Sequence, residues 1–124
     1  MATDNLAEAA RALTDLWAPK ILGRVNDQFI KVAKVKGELA WHKHEQEDEL
    51  FLVLEGALDI EYEDHVVSLR AGEFHVVPRG TMHNPVAKDE CLIALVETVT
   101  TQHTGDVVTH KTRSIAEQLG EDDI

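Results

Sequence analysis

From about Gly23 to Thr98 the chain is cut by turn residues at nearly regular intervals, and this most constrains its fold. The breaks are Gly37, Glu55-Gly56, Ala71-Gly72, Pro78-Arg79-Gly80 and Asn84-Pro85. Between them lie short apolar or alternating runs: Phe29–Val35, Glu38–His44, Glu49–Leu54, Ala57–Glu63, Val66–Leu69, Phe74–Val77 and Cys91–Thr98. In Ala57–Glu63, Leu58, Ile60 and Tyr62 alternate with Asp59, Glu61 and Glu63, the signature of a half-buried strand. Many short strands at such spacing predict a small all-β antiparallel barrel or sandwich. Closing the sheet also removes exposed edges.

Helical patterns flank this core, taken as residues 23–98. Leu6, Ala9, Ala10, Leu13, Leu16 and Trp17 recur at helical spacing, so a helix is expected over 5–17. Asp4 or Asn5 caps it and Pro19 stops it. It reads as a lid packed on the barrel. A C-terminal arm (99–124) holds the polar loop His103-Thr104-Gly105-Asp106. A short helix from Ser114 to Leu119 follows, closed by Gly120. Residues 121–124 read as a frayed acidic tail.

The 124 residues suit one domain. Acidic residues outnumber basic ones 23 to 12. This speaks against broad affinity for nucleic acid or anionic membranes, which needs a basic footprint. No apolar run approaches the roughly 20 residues of a membrane span. Met1-Ala2-Thr3-Asp4 lacks the start of a secretory signal. The single cysteine, Cys91, allows no intrachain disulfide and no multi-cysteine zinc site. A reducing cytoplasm is the expected home.

The histidines carry the chemistry. His42 and His44 are one residue apart in a run read as a strand. Both imidazoles then face one side, with Trp41 and Lys43 on the other. A hairpin-like return through Glu45-Gln46-Glu47-Asp48 brings Glu49 beside the pair. The turn Pro78–Met82 delivers His83. Three imidazoles and one carboxylate form a mixed N/O set that suits Mn, Fe, Co, Ni, Cu or Zn better than Mg or Ca.

Two stretches resemble the conserved motifs of the cupin superfamily. Gly37-Glu-Leu-Ala-Trp-His42-Lys-His44-Glu-Gln-Glu-Asp-Glu49-Leu-Phe-Leu-Val-Leu-Glu-Gly56 is similar to the first, and Gly72-Glu-Phe-His-Val-Val-Pro78-Arg-Gly80-Thr-Met-His83 to the second. The chain departs from the pattern twice. Four residues rather than five separate Gly37 from His42, and Ala87 stands where an asparagine is common, although Asn84 follows His83. The resemblance is closest to small, single-domain bacterial cupins with a Thr-Gly-Asp segment after the last strand. It implies a double-stranded β-helix, or jelly-roll, barrel with short N- and C-terminal helices. It also implies a divalent transition metal (Fe, Mn, Ni or Zn) held by His42, His44, Glu49 and His83.

On this reading Phe51 and Val53, in phase with Glu49, line an apolar substrate pocket around the ion. The chain is then a metal-dependent enzyme acting on a small organic molecule, of dioxygenase, isomerase or lyase type. The alternative is a non-catalytic cupin that binds or senses a metal-held ligand. Glu47 is the nearest rival to Glu49 and reads as a solvated loop residue. His65 is expected in solvent, His75 outside the barrel, and Arg79 exposed in its turn. His103 and His110 are possible lids. Cys91 is read as a small core residue. A homodimer is expected, with Phe29–Val35 adding to a neighbouring sheet edge.

Overall fold

The computed structural model describes residues 3–120, so the acidic tail expected at 121–124 lies outside the described residues. The elements are α1 (Leu6–Arg11), β1 (Lys20–Val25), β2 (Gln28–Glu38), β3 (Glu49–Glu55), β4 (Ala57–Tyr62), β5 (Val66–Arg70), β6 (Phe74–Val77), β7 (His83–Thr98) and α2 (Ile115–Leu119). Strands run in the order β1-β2-β7-β3-β6, with β4 joined to β7 and β5 to β4. Every ladder is antiparallel. The 16-residue β7 serves both walls. Its first part pairs with β4 (Tyr62↔His83 to Asp59↔Val86), and its last part lies between β2 and β3. The sheet thereby folds over itself as an all-β jelly-roll barrel.

Alternation sets the contents of the barrel. Phe29, Lys31, Ala33 and Val35 of β2 point inward, as do Phe51 and Val53 of β3 and Cys91, Ile93, Leu95 and Glu97 of β7. The lower interior is apolar, built on Val35, Val53, Leu58, Ile60, Leu69 and Ile93. Burying each such aliphatic side chain contributes about 1.5–3 kcal/mol. The upper interior is polar and holds Lys31, Glu97, Glu49 and three histidines. On the outer face, α1 packs Ala10 on Val32, Leu92 and Ala94. No helix among the described residues is long and apolar enough to cross a membrane.

Several expectations are corrected. The N-terminal helix ends at Arg11 rather than near Pro19. The Trp17 amide donates to Lys34 O (2.9 Å) and its indole Nε1 to Lys36 O (2.8 Å). The chain beyond the helix is thus bonded to β2 and not to itself. The run Lys20–Val25, unassigned above, is a strand paired with β2 through the Asn26-Asp27 turn. Glu38–His44 is not a strand beyond Glu38. Asn84-Pro85 does not turn the chain but continues β7. Finally, β2 is bonded to β1 on one edge and β7 on the other. Phe29–Val35 therefore has no free edge to offer a second copy.

Candidate functional site

After Glu38 the chain leaves β2 but stays extended, pinned at intervals. Leu39 N donates to Pro85 O (3.1 Å), His42 and His83 exchange two backbone bonds of 2.9 Å, and Gly80 N donates to His44 O (2.7 Å). These anchors preserve the alternation without a regular ladder. His42 and His44 turn inward, while Trp41 remains 43% exposed. Glu49 opens β3 facing inward, and His83 opens β7 opposite His42.

The four side chains converge. Their potential ligand atoms all lie within 4.8 Å of one another, and the residues are at most 4% exposed. Ligands on opposite sides of one ion, with bonds of about 2.0–2.1 Å, stand about 4.2 Å apart, so small side-chain movements suffice to share an ion. His42 Nδ1 faces Ala40 O at 2.8 Å, and His83 Nδ1 faces Thr81 O at 2.9 Å. A carbonyl can only accept, so each Nδ1 carries the proton and each Nε2 presents a lone pair to the centre. His42 Nε2, His44 Nε2, Glu49 Oε1 and His83 Nε2 are all buried without a hydrogen-bond partner. Glu49 Oε1 lies 3.3 Å from His44 Nε2 and 3.6 Å from His83 Nε2, out of hydrogen-bond alignment.

Burial, with the neighbouring His83, lowers His42 to about 4, so it is neutral at physiological pH. Burial also pulls His44 down, but the Glu49 carboxylate outweighs it and the net shift is upward. Burial resists a charge on Glu49. The two imidazoles, His44 foremost, nevertheless draw its carboxyl well below the ordinary range. The result is a carboxylate among imidazoles in a buried interior, a donor set that could hold a transition metal ion.

A second polar layer, unforeseen from the sequence, lies behind the four residues. Glu97 is paired across the ladder with Glu49, and Lys31 Nζ lies 3.1 Å from Glu97 Oε1, both side chains wholly buried. Burial and the charge of Glu49 push the Glu97 carboxyl well above its usual range. Lys31 also donates to Gln118 Oε1 of α2 at 2.5 Å. The available signal was phase: Lys31 alternates with Phe29, Ala33 and Val35, and Glu97 with Cys91, Ile93 and Leu95. The C-terminal arm closes over this end. Gly105 stacks on His42 and Lys43, Asp106 N donates to Lys43 O (3.1 Å), and His103 is 5% exposed. Burial, then the charge of Lys31, lowers His103 to about 4, and its Nε2 accepts from Arg113 N at 2.7 Å.

The other candidates fall as follows. Phe51 lines a chamber of about 20 Å³ with Glu49, Trp17 and His103. Val53 lies in the packed core and not on that chamber. Glu47 accepts from Thr100 Oγ1 (3.1 Å) and stands apart from the cluster. His65, Arg79 and His110 are exposed. Cys91 is buried and its thiol is pushed up to about 11, an inert core group. The expectation for His75 is corrected. Phe74 and Val76 are the outward pair, 64% and 40% exposed. His75 shares the inward phase of Val77, faces Phe51 across the ladder, and meets the Tyr62 hydroxyl at 2.6 Å. Its neighbours in sequence are apolar yet outward, because β6 is the last strand of its sheet.

Comparison with known proteins agrees with this geometry. Residues 29–99 match the Cupin_2 family model, described as a cupin domain. An uncharacterised protein of Bacillus subtilis, YdbB, is 38% identical over 80 residues, 64% of this chain and 71% of that protein. The crystal structure of a cupin-2 domain protein from Shewanella frigidimarina superposes with a TM-score of 0.74 at 39% identity, covering 77% of this chain and 93% of that one. Protein NMB1881 of Neisseria meningitidis gives 0.71 at 28% identity, covering 78% and 99%.

Proposed function

The chain belongs to the cupin-domain family, and from that premise we propose that it is a metal-dependent enzyme acting on a small organic molecule. His42, His44, Glu49 and His83 would hold one divalent transition ion. The observation that carries this is the set of four orphaned atoms turned toward one another in a buried interior. Leaving a buried polar group unpaired costs about 1–3 kcal/mol, and four at one point call for a common partner. Glu49 supplies the negative charge and the three imidazoles the neutral donors. An ion held there supplies Lewis-acid or redox chemistry of dioxygenase, isomerase or lyase type. The fixed Nδ1–H bonds of His42 and His83 hold their rings in place during any such reaction.

One observation favours a second reading, a cupin that holds its ion without turning over an organic molecule. The ligand-bearing residues are almost wholly enclosed, and the chamber beside them is small. A single experiment tests both. Untagged protein is assayed for metal, then loaded with Fe(II) or Mn(II) and incubated with dicarbonyls, phenols and sugar acids. Product formation or oxygen uptake supports the enzyme. Thermal stabilisation with unchanged ligand supports the binder. Protein that neither retains nor responds to any transition metal refutes both.

A further inference from the structure

The chamber behind Glu49 measures about 20 Å³, the space of about one water. It cannot admit an organic molecule. A second cavity of about 550 Å³ opens on the barrel flank, between the β4–β5 turn and the β6–β7 loop. That lies within the roughly 300–1,000 Å³ of small-molecule sites. We infer that this flank cavity is the docking site for an organic ligand, a neutral, ring-sized molecule bearing a hydroxyl or carbonyl oxygen that Tyr62 and His75 meet. The inference rests on the metal-site reading only for what the ligand does after docking.

Four observations support it. First, Tyr62 is both a wall of the cavity and the cross-strand partner of His83, their ring centroids 6.5 Å apart. A docked molecule is one side chain from the four-residue cluster. Second, the Tyr62 hydroxyl and His75 Nε2, 2.6 Å apart, come from the two facing walls of the barrel. Their mutual bond leaves the Tyr62 hydroxyl able to take a further hydrogen bond or, when His75 is the donor, to give one, which suits a ligand hydroxyl in either case and a carbonyl in the second. Third, the His65 ring stacks on Tyr62 at 4.6 Å and 16°. A flat ligand ring takes that face by displacing the exposed His65 ring, and Val76 and Met82 add apolar wall. Fourth, Glu63 and Asp64 stand at the rim, and among the described residues no lysine or arginine lines the cavity. An anion meets like charge with no cation to hold it.

Resorcinol serves as the probe, being planar, neutral, and unable to chelate one ion through both oxygens. It is titrated calorimetrically into the untagged full chain, metal-free and Mn(II)-loaded, with 3-hydroxybenzoate as the anionic counterpart. Wild type is expected to bind resorcinol in both forms, and the benzoate several-fold more weakly. Tyr62→Phe, which keeps the ring, should weaken resorcinol about tenfold through the lost hydrogen bond. Met82→Trp, which narrows the cavity, should weaken binding several-fold. Both variants should keep the wild-type metal content, and Tyr62→Phe should lower the melting temperature by only a few degrees through the lost bond to His75. Absence of resorcinol binding by wild type, or binding untouched by both substitutions, overturns the inference. Equal affinity for the benzoate overturns the ligand class. If wild type takes up no metal yet binds resorcinol through Tyr62, the metal reading fails and the docking site stands.

Discussion

Replacing Gly105 by alanine isolates the contribution of the C-terminal arm to the candidate centre. Gly105 has φ +62 and sits directly over the His42–Lys43 segment. A Cβ there would lie 2.3 Å from Lys43 O and 2.7 Å from His42 Cδ2. The first contact is with backbone that is itself hydrogen-bonded, so it cannot yield, and the arm must lift. Lifting breaks Asp106 N to Lys43 O and Lys43 N to Asp106 Oδ1, each worth about 0.5–1.5 kcal/mol. The left-handed backbone costs a further 1–2 kcal/mol or so. The total is about 2–5 kcal/mol, before any loss from uncovering His42 and His103.

Gly37→Ala is the control. Gly37 has φ +76, but nothing lies within 4 Å of its would-be Cβ, so it carries the backbone cost alone, about 1–2 kcal/mol. At roughly 3–5 °C per kcal/mol for a chain of this size, Gly37→Ala should lower the melting temperature by about 5 °C and Gly105→Ala by more than 10 °C. Only Gly105→Ala should also hasten loss of bound Mn(II) or Fe(II) to a chelator, because only it exposes His42. Equal melting temperatures and equal release rates for the two variants would refute the reasoning and reduce Gly105 to an ordinary turn glycine.

Three further outcomes are expected. His83→Ala should cut transition-metal affinity by more than about 100-fold, beyond the effect of losing a supporting residue, while exposed Lys88→Ala leaves metal content by elemental analysis unchanged. Lys31→Met leaves the Glu97 carboxyl, already pushed toward its neutral form, without its partner and should cost about 1–3 kcal/mol in urea unfolding, most of it recovered when Glu97→Leu is added. His103 is held near 4 against an ordinary 6.5, so as pH falls the unfolded chain takes up its proton first. That part of the stability, about 3 kcal/mol, is whole above pH 6.5 or so and is lost progressively down to about 4. His103→Gln should flatten the urea midpoint between pH 7 and 4.5, and a slope identical to wild type would sink this assignment.

Strand alternation made the barrel legible where each strand is buried on one face only. Leu58, Ile60 and Tyr62 lie inward as their spacing predicts. The same rule failed at β6. Phe74 and Val76 are the apolar phase and His75 the polar one, yet the apolar phase faces out. Hydrophobicity could not settle the face there, because His75 has an inward partner, the Tyr62 hydroxyl. For β1, the Asn26-Asp27 hairpin turn was a usable signal, masked by Gly23 and by the charged ends Lys20 and Arg24.

The convergence of His42, His44, Glu49 and His83 survived a wrong secondary-structure assignment, and the reason is physical. The inward turn of His42 and His44 needs only alternate residues in extended backbone. Bonds to Pro85, His83 and Gly80 enforce that without a ladder. The supporting layer was hidden for the opposite reason. In a period-two pattern lysine marks the solvent face. Lys31 is inside only because Glu97, 66 positions along the chain, and Gln118, 87 positions along, supply partners that no local window contains. A lone buried ammonium would cost several kcal/mol, so the pair must be kept or lost together. Long-range polar pairing of this kind is the information that periodicity discards.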